Sequence, residues 1–350
     1  MFLKRTILSY AFLLVMSTGK KSFQKIAAVG RMSRDTAQRH LHKEQDIFEK
    51  LKSIAQSVFQ ESKNLYIIID ETLIKKIYAN NIQGTGYFFD QKTGRRITAF
   101  RLAIGMVSDG KNSVPLLSDY LFDKELCQLL PHLKKRSTDV AKHLLSIVAK
   151  IFNNKAVVLV ADGAYATKEM LLWCKENNIK VEMRMHSNRV VIYKGHKYKL
   201  RELLLLKGIK PKGRQMARTI TVLWHEMELE ITIVRRLDKH DQESIVFQVA
   251  TYKTNPIKHV HVYQKRWCVE MMIRTTKQRI GIQDCYSKLF DNQRSHIASC
   301  LLVFALAQWE KKKSNLKNTE AALNKLERKN AQFLERRFSW ILNNEAIVYA

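Results

Sequence analysis

Proline is scarce in this chain, with four residues among 350. Long structureless linkers are therefore not expected, and no low-complexity tract or internal repeat interrupts the text. Cysteine is equally uninformative as a scaffold. Cys127, Cys174, Cys268, Cys285 and Cys300 are odd in number and form no C-x-x-C pair. This argues against a disulfide framework and against a structural zinc site, and it fits a reducing cytoplasm. Long apolar runs are missing too. The stretch KRTILSYAFLLVM, Lys4 to Met16, has the basic start and short apolar run of a signal peptide. It is too short to span a bilayer, and no clean small-x-small cleavage pattern follows. It reads as the buried first helix of a small N-terminal domain, with a signal peptide as the lesser alternative; no membrane association is expected.

The remaining shortage is of acid. The chain carries 61 Lys+Arg against 32 Asp+Glu, a net charge of +29. A folded core does not need that excess, which costs self-repulsion. A polyanionic partner is the usual reason, and nucleic acid is the first candidate. A generally basic or ribosome-associated protein is the bland alternative.

In SFQKIAAVGRMSRDTAQRHLHK, from Ser22, Ile26, Ala27 and Val29 give an apolar helix face. Gly30 offers a turn, and Ser33 an N-cap for a second helix whose inner face is Ala37 and Leu41. Helix, short turn, helix is the helix-turn-helix layout. Its outward residues would be Arg34, Asp35, Gln38, Arg39 and His42, among which Arg and Gln suit base edges. A plain helical hairpin with a basic surface is the competing reading. A charged amphipathic helix from about His42 to Glu61 follows as a connector.

The texture then changes. LYIIID, Leu65 to Asp70, is a β-branched run that reads as a buried central strand ending in Asp. Strands are expected at Gly86–Phe89 and Thr98–Val107, a helix over Thr138–Phe152, and a second buried strand at AVVLVAD, Ala156 to Asp162. A helix over Ala166–Asn177 and a strand at Ile179–Met183 come next. Between about Arg189 and Thr254 the pattern is that of a β insert: a hairpin turning at Lys194–Gly195, two strands turning near His225–Glu226, and a fourth strand in SIVFQVATY. From Lys258 onward the chain reads as helical.

One helical stretch stands out. YQKRWCVEMMIRTTK, Tyr263 to Lys277, holds a lone glutamate among cations. On one regular helix Tyr263, Arg266, Glu270 and Lys277 step by three, four and seven and share a stripe. Glu270 could be only half of an i,i+4 pair with Arg266 or Arg274. It could instead join Asp70 and Asp162, because residues at the ends of central strands project into the cleft where α/β sites form. Three gathered carboxylates repel unless a cation neutralises them. Hard oxygen ligands without Cys or His select Mg²⁺ or Mn²⁺, and two such ions suit in-line displacement at phosphorus. Arg266, Tyr263 and Lys277 would then hold neighbouring phosphates.

The block Tyr263-x2-Arg266-x3-Glu270-x6-Lys277 resembles the Y-R-E-K signature of bacterial cut-and-paste DDE transposases, and Trp267 and Val269 are similar to its R-W-x-[IV]-E core. Asp70 and Thr72 resemble the family's D-x-T segment, and Asp162 with Tyr165 its D-x-x-[FY] segment. The resemblance spans about Leu65 to Glu310 and includes a β-strand insertion before the Glu. It implies an α/β, ribonuclease-H-like catalytic core with Asp70, Asp162 and Glu270 as ligands of two Mg²⁺, for which Mn²⁺ substitutes. It also implies a transposase that nicks element ends, usually forms a hairpin and joins the reopened end to target DNA. Tyr263, Arg266 and Lys277 would contact the transposon end. Trp224, the insert's single Trp, would stack on a flipped base as in relatives, with ordinary sheet packing an equal alternative.

Three parts are thus expected: residues 1–62, a helical DNA-binding domain; 63–312, the catalytic domain with its insert at about 189–254; and 313–350, a helical C-terminal segment. Leu316, Leu323, Leu326, Ala331 and Leu334 in that segment suit a dimer-forming helix, a helix packed on its own domain or a solvated basic tail. The expected partners are double-stranded DNA, as terminal inverted repeats and target, and a second copy in a paired-end complex at the nucleoid. Rival readings are a metal-dependent nuclease on the same fold and an inactive helix-turn-helix DNA-binding protein.

Overall fold

The long β-branched runs end up where elementary packing requires, at the centre of a sheet covered on both faces. The computed structural model describes residues 6–17, 19–77, 81–152, 155–212, 215–237 and 242–348, with side chains described as far as Phe333. The chain opens with four helices: α1 (Ile7–Met16), α2 (Phe23–Gly30), α3 (Arg34–Arg39) and α4 (Glu44–Phe59). Strands β1 (Asn64–Lys75), β2 (Gly86–Asp90), β3 (Arg95–Ser108) and β4 (Ser113–Tyr120) follow. Then come α5 (Lys124–Leu129), α6 (Ser137–Ile151), β5 (Ala156–Ala161), α7 (Lys168–Glu176) and β6 (Lys180–Met185). The insert contains β7 (Val190–Tyr193), β8 (His196–Lys199), α8 (Leu200–Leu203), β9 (Ala217–Trp224), β10 (Met227–Leu237) and β11 (Glu243–Ala250). Helices α9 (Pro256–Gln264), α10 (Trp267–Thr275), α11 (Phe290–Lys313) and α12 (Thr319–Val348) close the chain.

The strands of the described residues join one mixed sheet, ordered β2-β3-β1-β5-β6-β11-β10-β9-β7-β8, with β4 pairing the stretch of β3 beyond β2 on the side away from β1. β1 lies between antiparallel β3 and parallel β5, and β5 is parallel to β6. The mixture, with helices on the sheet, is consistent with a ribonuclease-H-like DDE fold. The insert is not a separate β unit: β11 pairs with β6, so the insert prolongs the central sheet. Both insert turns fall where the sequence puts them. Lys194–Gly195 and His225–Glu226 all take positive φ, as tight hairpins require.

Two sequence expectations need correction. Ser113–Tyr120 carries no strand expectation, yet it forms β4, which includes Pro115. Proline is tolerated there because β4 sits at an edge, with a register shift opposite Gly105 and Met106. In the N-terminal turn it is Arg31, not Gly30, that adopts the left-handed conformation, at φ 47°. Ser33 does cap α3, accepting from Thr36 N at 3.1 Å.

The N-terminal helices share the main core. Tyr10 of α1 is buried and hydrogen-bonds His296 of α11 at 2.9 Å, and α4 packs along α11 and β4. Of the apolar run read from Lys4, Ile7 onward is helical, and Lys4 and Arg5 lie outside the described residues. At the other end Leu323 is buried against the same core, with Leu316 and Leu326 packed beside it. Phe333 meets Phe12 edge-on at 5.8 Å. Leu334 lies outside the described side chains. No helix among the described residues is long and apolar enough to cross a membrane.

Gly105 of β3 shows how closely the site's sheet is covered. A Cβ added there would lie 2.1 Å from Leu144 Cδ2 on α6. Gly105→Ala should cost about 1–3 kcal/mol, the usual range for overpacking, read as a lower urea midpoint with native spectra at low urea.

Candidate active site

Parallel pairing of β1 with β5 brings the two strand-end aspartates together. Ile69 is in register with Ala161, so Asp70 and Asp162 are lateral neighbours on one face. Asp70 Oδ1 accepts from Glu71 N at 2.9 Å, and Asp162 Oδ1 accepts from Gly163 N at 2.7 Å. Each carboxylate is thus fixed by its own backbone and leaves its second oxygen for other work.

Helix α10 delivers the third acid. Arg266 Nη1 donates to Asp70 Oδ2 at 2.7 Å, and Nη2 of the same guanidinium pairs with Glu270. Burial pushes the Asp70 carboxyl above the usual range. Arg266 and the Glu71 amide pull it back, and the charges of Asp162 and Glu270 push it up again. Those opposing effects are the signature of a like-charge cluster held by one cation. Tyr263 is buried, and burial raises its phenol; Arg266 lowers it, the charge of Asp162 adds to the rise, and Arg184 opposes it. Lys277 Nζ donates to Thr72 Oγ1 at 2.7 Å, tying the last residue of the stripe to the D-x-T segment.

The four stripe residues do not lie on one regular helix, contrary to the periodicity. The backbone N–H groups of Lys265, Arg266, Cys268 and Val269 bond i to i−3, and Thr276–Ile280 forms a π-helical turn. The chain is tightened before Glu270 and widened at Lys277, a pattern frequent at functional sites. Thr276 stabilises the widened turn through Met272 O and Ile273 O.

Behind α9 lies a polar group that no local pattern announces. His259 Nδ1 and Glu182 Oε2 are 2.7 Å apart, both residues are fully buried, and Tyr252 Oη donates to the same carboxylate oxygen at 3.2 Å. His259 sits one helical turn before Tyr263, so this pair fixes the helix that carries the stripe. Close to Asp162, a Cβ on Gly163 would lie 3.2 Å from His186 Nε2, so the glycine permits that ring's approach.

The other sequence candidates lie elsewhere. Trp224 is 4% exposed at the tip of the β9–β10 hairpin, its ring 4.6 Å from that of His225. Arg34 and Arg39 are exposed on α3, and Gln38 and Arg39 line an open cleft shared with Asn292 and Ser295 of α11.

A family model described as the transposase DDE domain matches residues 126–306, just over half of the chain. This chain belongs to the DDE transposase family. The match includes Asp162 and Glu270 but begins after Asp70, whose place beside them comes from the β1–β5 pairing. No match is found among curated proteins. The family implies a polynucleotidyl transferase or nuclease acting on DNA with divalent metal ions. Among the described residues no three of His, Cys, Asp and Glu form a ready metal-binding group. The donors are nevertheless of the right chemistry, hard carboxylates on one face, and the Arg266 guanidinium supplies the positive charge between Asp70 and Glu270.

Burial, and then the charges of Lys92 and Lys75, lower the Lys277 pKa to about 8, with Asp90 opposing. Above that pH the unfolded chain binds more protons at this residue than the folded one. The penalty is therefore full below about pH 8 and is relieved as pH rises toward the ordinary value of 10.5. A carbon-NMR titration of the lysine ε-methylenes should show one Lys277 midpoint at about 8, moving up in Lys92→Gln. An ordinary midpoint would contradict the burial argument.

Proposed function

We propose that this protein is a cut-and-paste transposase of the bacterial insertion-sequence group with the Y-x2-R-x3-E-x6-K signature, acting at the ends of its own element. The observation that carries the reading is the double grip of Arg266 on Asp70 and Glu270, with Lys277 on Thr72 beside it. The signature and the first aspartate segment are far apart in sequence and meet in space.

Asp70, Asp162 and Glu270 would hold two Mg²⁺, with Mn²⁺ as a substitute. When bound, these ions activate the attacking oxygen and stabilise the leaving oxygen of an in-line displacement at phosphorus. Arg266 then has a second task. Released from the carboxylates, its fork is free to take a neighbouring phosphate bidentately. The Lys277 ammonium neutralises the next phosphate, and contact with that anion raises its depressed pKa toward full protonation. Tyr263 offers its hydroxyl as a donor at the same face. Water attacks the scissile phosphorus and frees a 3′-hydroxyl. That hydroxyl attacks the opposite strand to give a hairpin, and the reopened end is joined to target DNA.

The rest of the reading follows the three expected parts. Residues 1–62 act as a helix-turn-helix-like DNA-binding part, with Arg34, Gln38 and Arg39 toward the groove. Residues 63–312 are the catalytic domain. Residues 313–350 are a helical segment, and two copies pair the ends at the nucleoid in the cytoplasm. Trp224 would have to leave its buried position to stack on a flipped base.

The test uses purified protein, a plasmid carrying the gene with its native flanks, and Mg²⁺ or Mn²⁺. Breaks should map to the element ends and fall below detection in Glu270→Ala and Asp162→Asn. Metal-dependent cutting with no joined product would favour a nuclease on this fold. End binding without cutting under either metal would favour an inactive DNA-binding protein.

A further inference from the structure

The terminal strand β2 presents an unusual surface. Phe88 and Asp90 are covered, whereas Tyr87 and Phe89, alternating with them, are 56% and 60% exposed. Edge strands with exposed aromatic rings invite pairing with another chain unless something blunts them. Here the blunting is cationic. Lys92, Arg95 and Arg96 at the β2–β3 turn are all exposed, and Arg96 lies directly opposite Phe89.

The register fixes which side of the sheet this is. Asp70 is paired with Ile104 on β3, and alternate residues from there, Leu102, Phe100, Thr98 and Arg96, share its face. Thr98 and Arg96 are in turn opposite Tyr87 and Phe89. The aromatic pair is therefore on the face of the candidate active site. The hairpin tip is also preformed. Asp90 accepts from Lys75 Nζ at 2.5 Å, from Thr93 Oγ1 at 2.9 Å and from Lys92 N at 3.3 Å. Lys75 lies three residues beyond Thr72 on β1 and so points to the other face, while Thr72 holds Lys277 on the face of the acids. The tip and the stripe are close enough for Lys92 to depress the Lys277 ammonium.

We propose that the β2–β3 hairpin is a second DNA-binding surface, on which Tyr87 and Phe89 pack against bases and sugars of the strand leading away from the cleaved phosphate while Lys92 and Arg96 neutralise its phosphates. The inference deepens the transposase reading and rests on it for the position of that phosphate. Aromatic rings beside cations are the usual means of holding a splayed strand without reading its sequence. A second copy of this chain is the weaker occupant, because edge pairing would bring the same cations of two strongly basic molecules together.

The test measures binding of a duplex bearing the native element end and its flank, in metal-free buffer over a series of salt concentrations. Lys92→Gln/Arg96→Gln should reduce the slope of log affinity against log salt by about 1.8, at about 0.9 per phosphate. Tyr87→Ser/Phe89→Ser should keep the slope and weaken binding roughly tenfold or more. All four side chains are on the surface, so melting midpoints should match the parent's. Parental affinity and slope in both double variants would overturn the proposal, as would an aromatic variant that changes only self-association in sedimentation. Parent protein that fails to cut element ends, while the variants still lose binding, would sink the transposase reading and leave the hairpin a DNA surface. Parent protein that cuts, with variants that bind normally, would do the reverse.

Discussion

Carboxylates gathered in one place repel one another, and in this protein one guanidinium ties the strand-end Asp70 to Glu270 of α10. Arg266 touches both Asp70 and Glu270, and Asp162 adds its field from the next strand. A planar fork is suited to this because it donates to two carboxylates at once, which an ammonium does not do with the same geometry. Because burial raises the cost of each charge, removing that cation would leave a cluster that protonates or opens. The arrangement suits a resting state. The acids stay gathered, and the group that gathers them is itself a phosphate ligand by chemistry.

Holding Arg266 in place requires its helix to be anchored, and the sheet supplies the anchor at some cost. Glu182 on β6 and His259 on α9 form a fully buried polar pair, whose desolvation their mutual contact must offset. What such a pair does supply is orientation, because a fixed donor and acceptor allow one rotation of the helix. The tightened turn before Glu270 and the π turn at Lys277 then aim two residues of one stripe at two different places on β1. On a regular helix the same side chains would keep to a single line.

Much of this was legible in the sequence, for physical reasons that differ by element. β1 and β5 carry apolar, mostly β-branched runs at Leu65–Ile69 and Ala156–Ala161, which suit a buried central strand. The insert hairpins carried their own turn chemistry. The Tyr263–Lys277 spacing brought the site within reach because residues three and four apart share a helix face even when the helix is locally distorted. Other features lacked a local signal. Glu182 and His259 are 77 residues apart, and neither sits in a pattern that names the other. β4 contains Pro115, and a strand accommodates proline only at an edge position that the tertiary structure assigns. Periodicity has no means of announcing a π turn, at whose start Thr276 donates to two carbonyls. Trp224 was legible as a residue but not as a surface, since its burial follows from the packing around the β9–β10 hairpin.

The excess positive charge is the thread that links these levels. A net charge of +29 works against compaction, so its distribution must follow some other requirement. Part of it is spent internally: Arg279 pairs with Glu320 and Glu327 to hold α12 against the core, and Arg294 pairs with Glu44 to hold α4. Part is left at the surface on the exposed β2–β3 tip, at Lys92, Arg95 and Arg96, while Lys277 is held below it on Thr72. Burial first, and then the neighbouring lysines, lower the Lys277 ammonium, and an ammonium held that way gains from an arriving anion. A polyanion docking on this face would relieve the repulsion among the lysines and draw Arg266 away from the carboxylates in the same event.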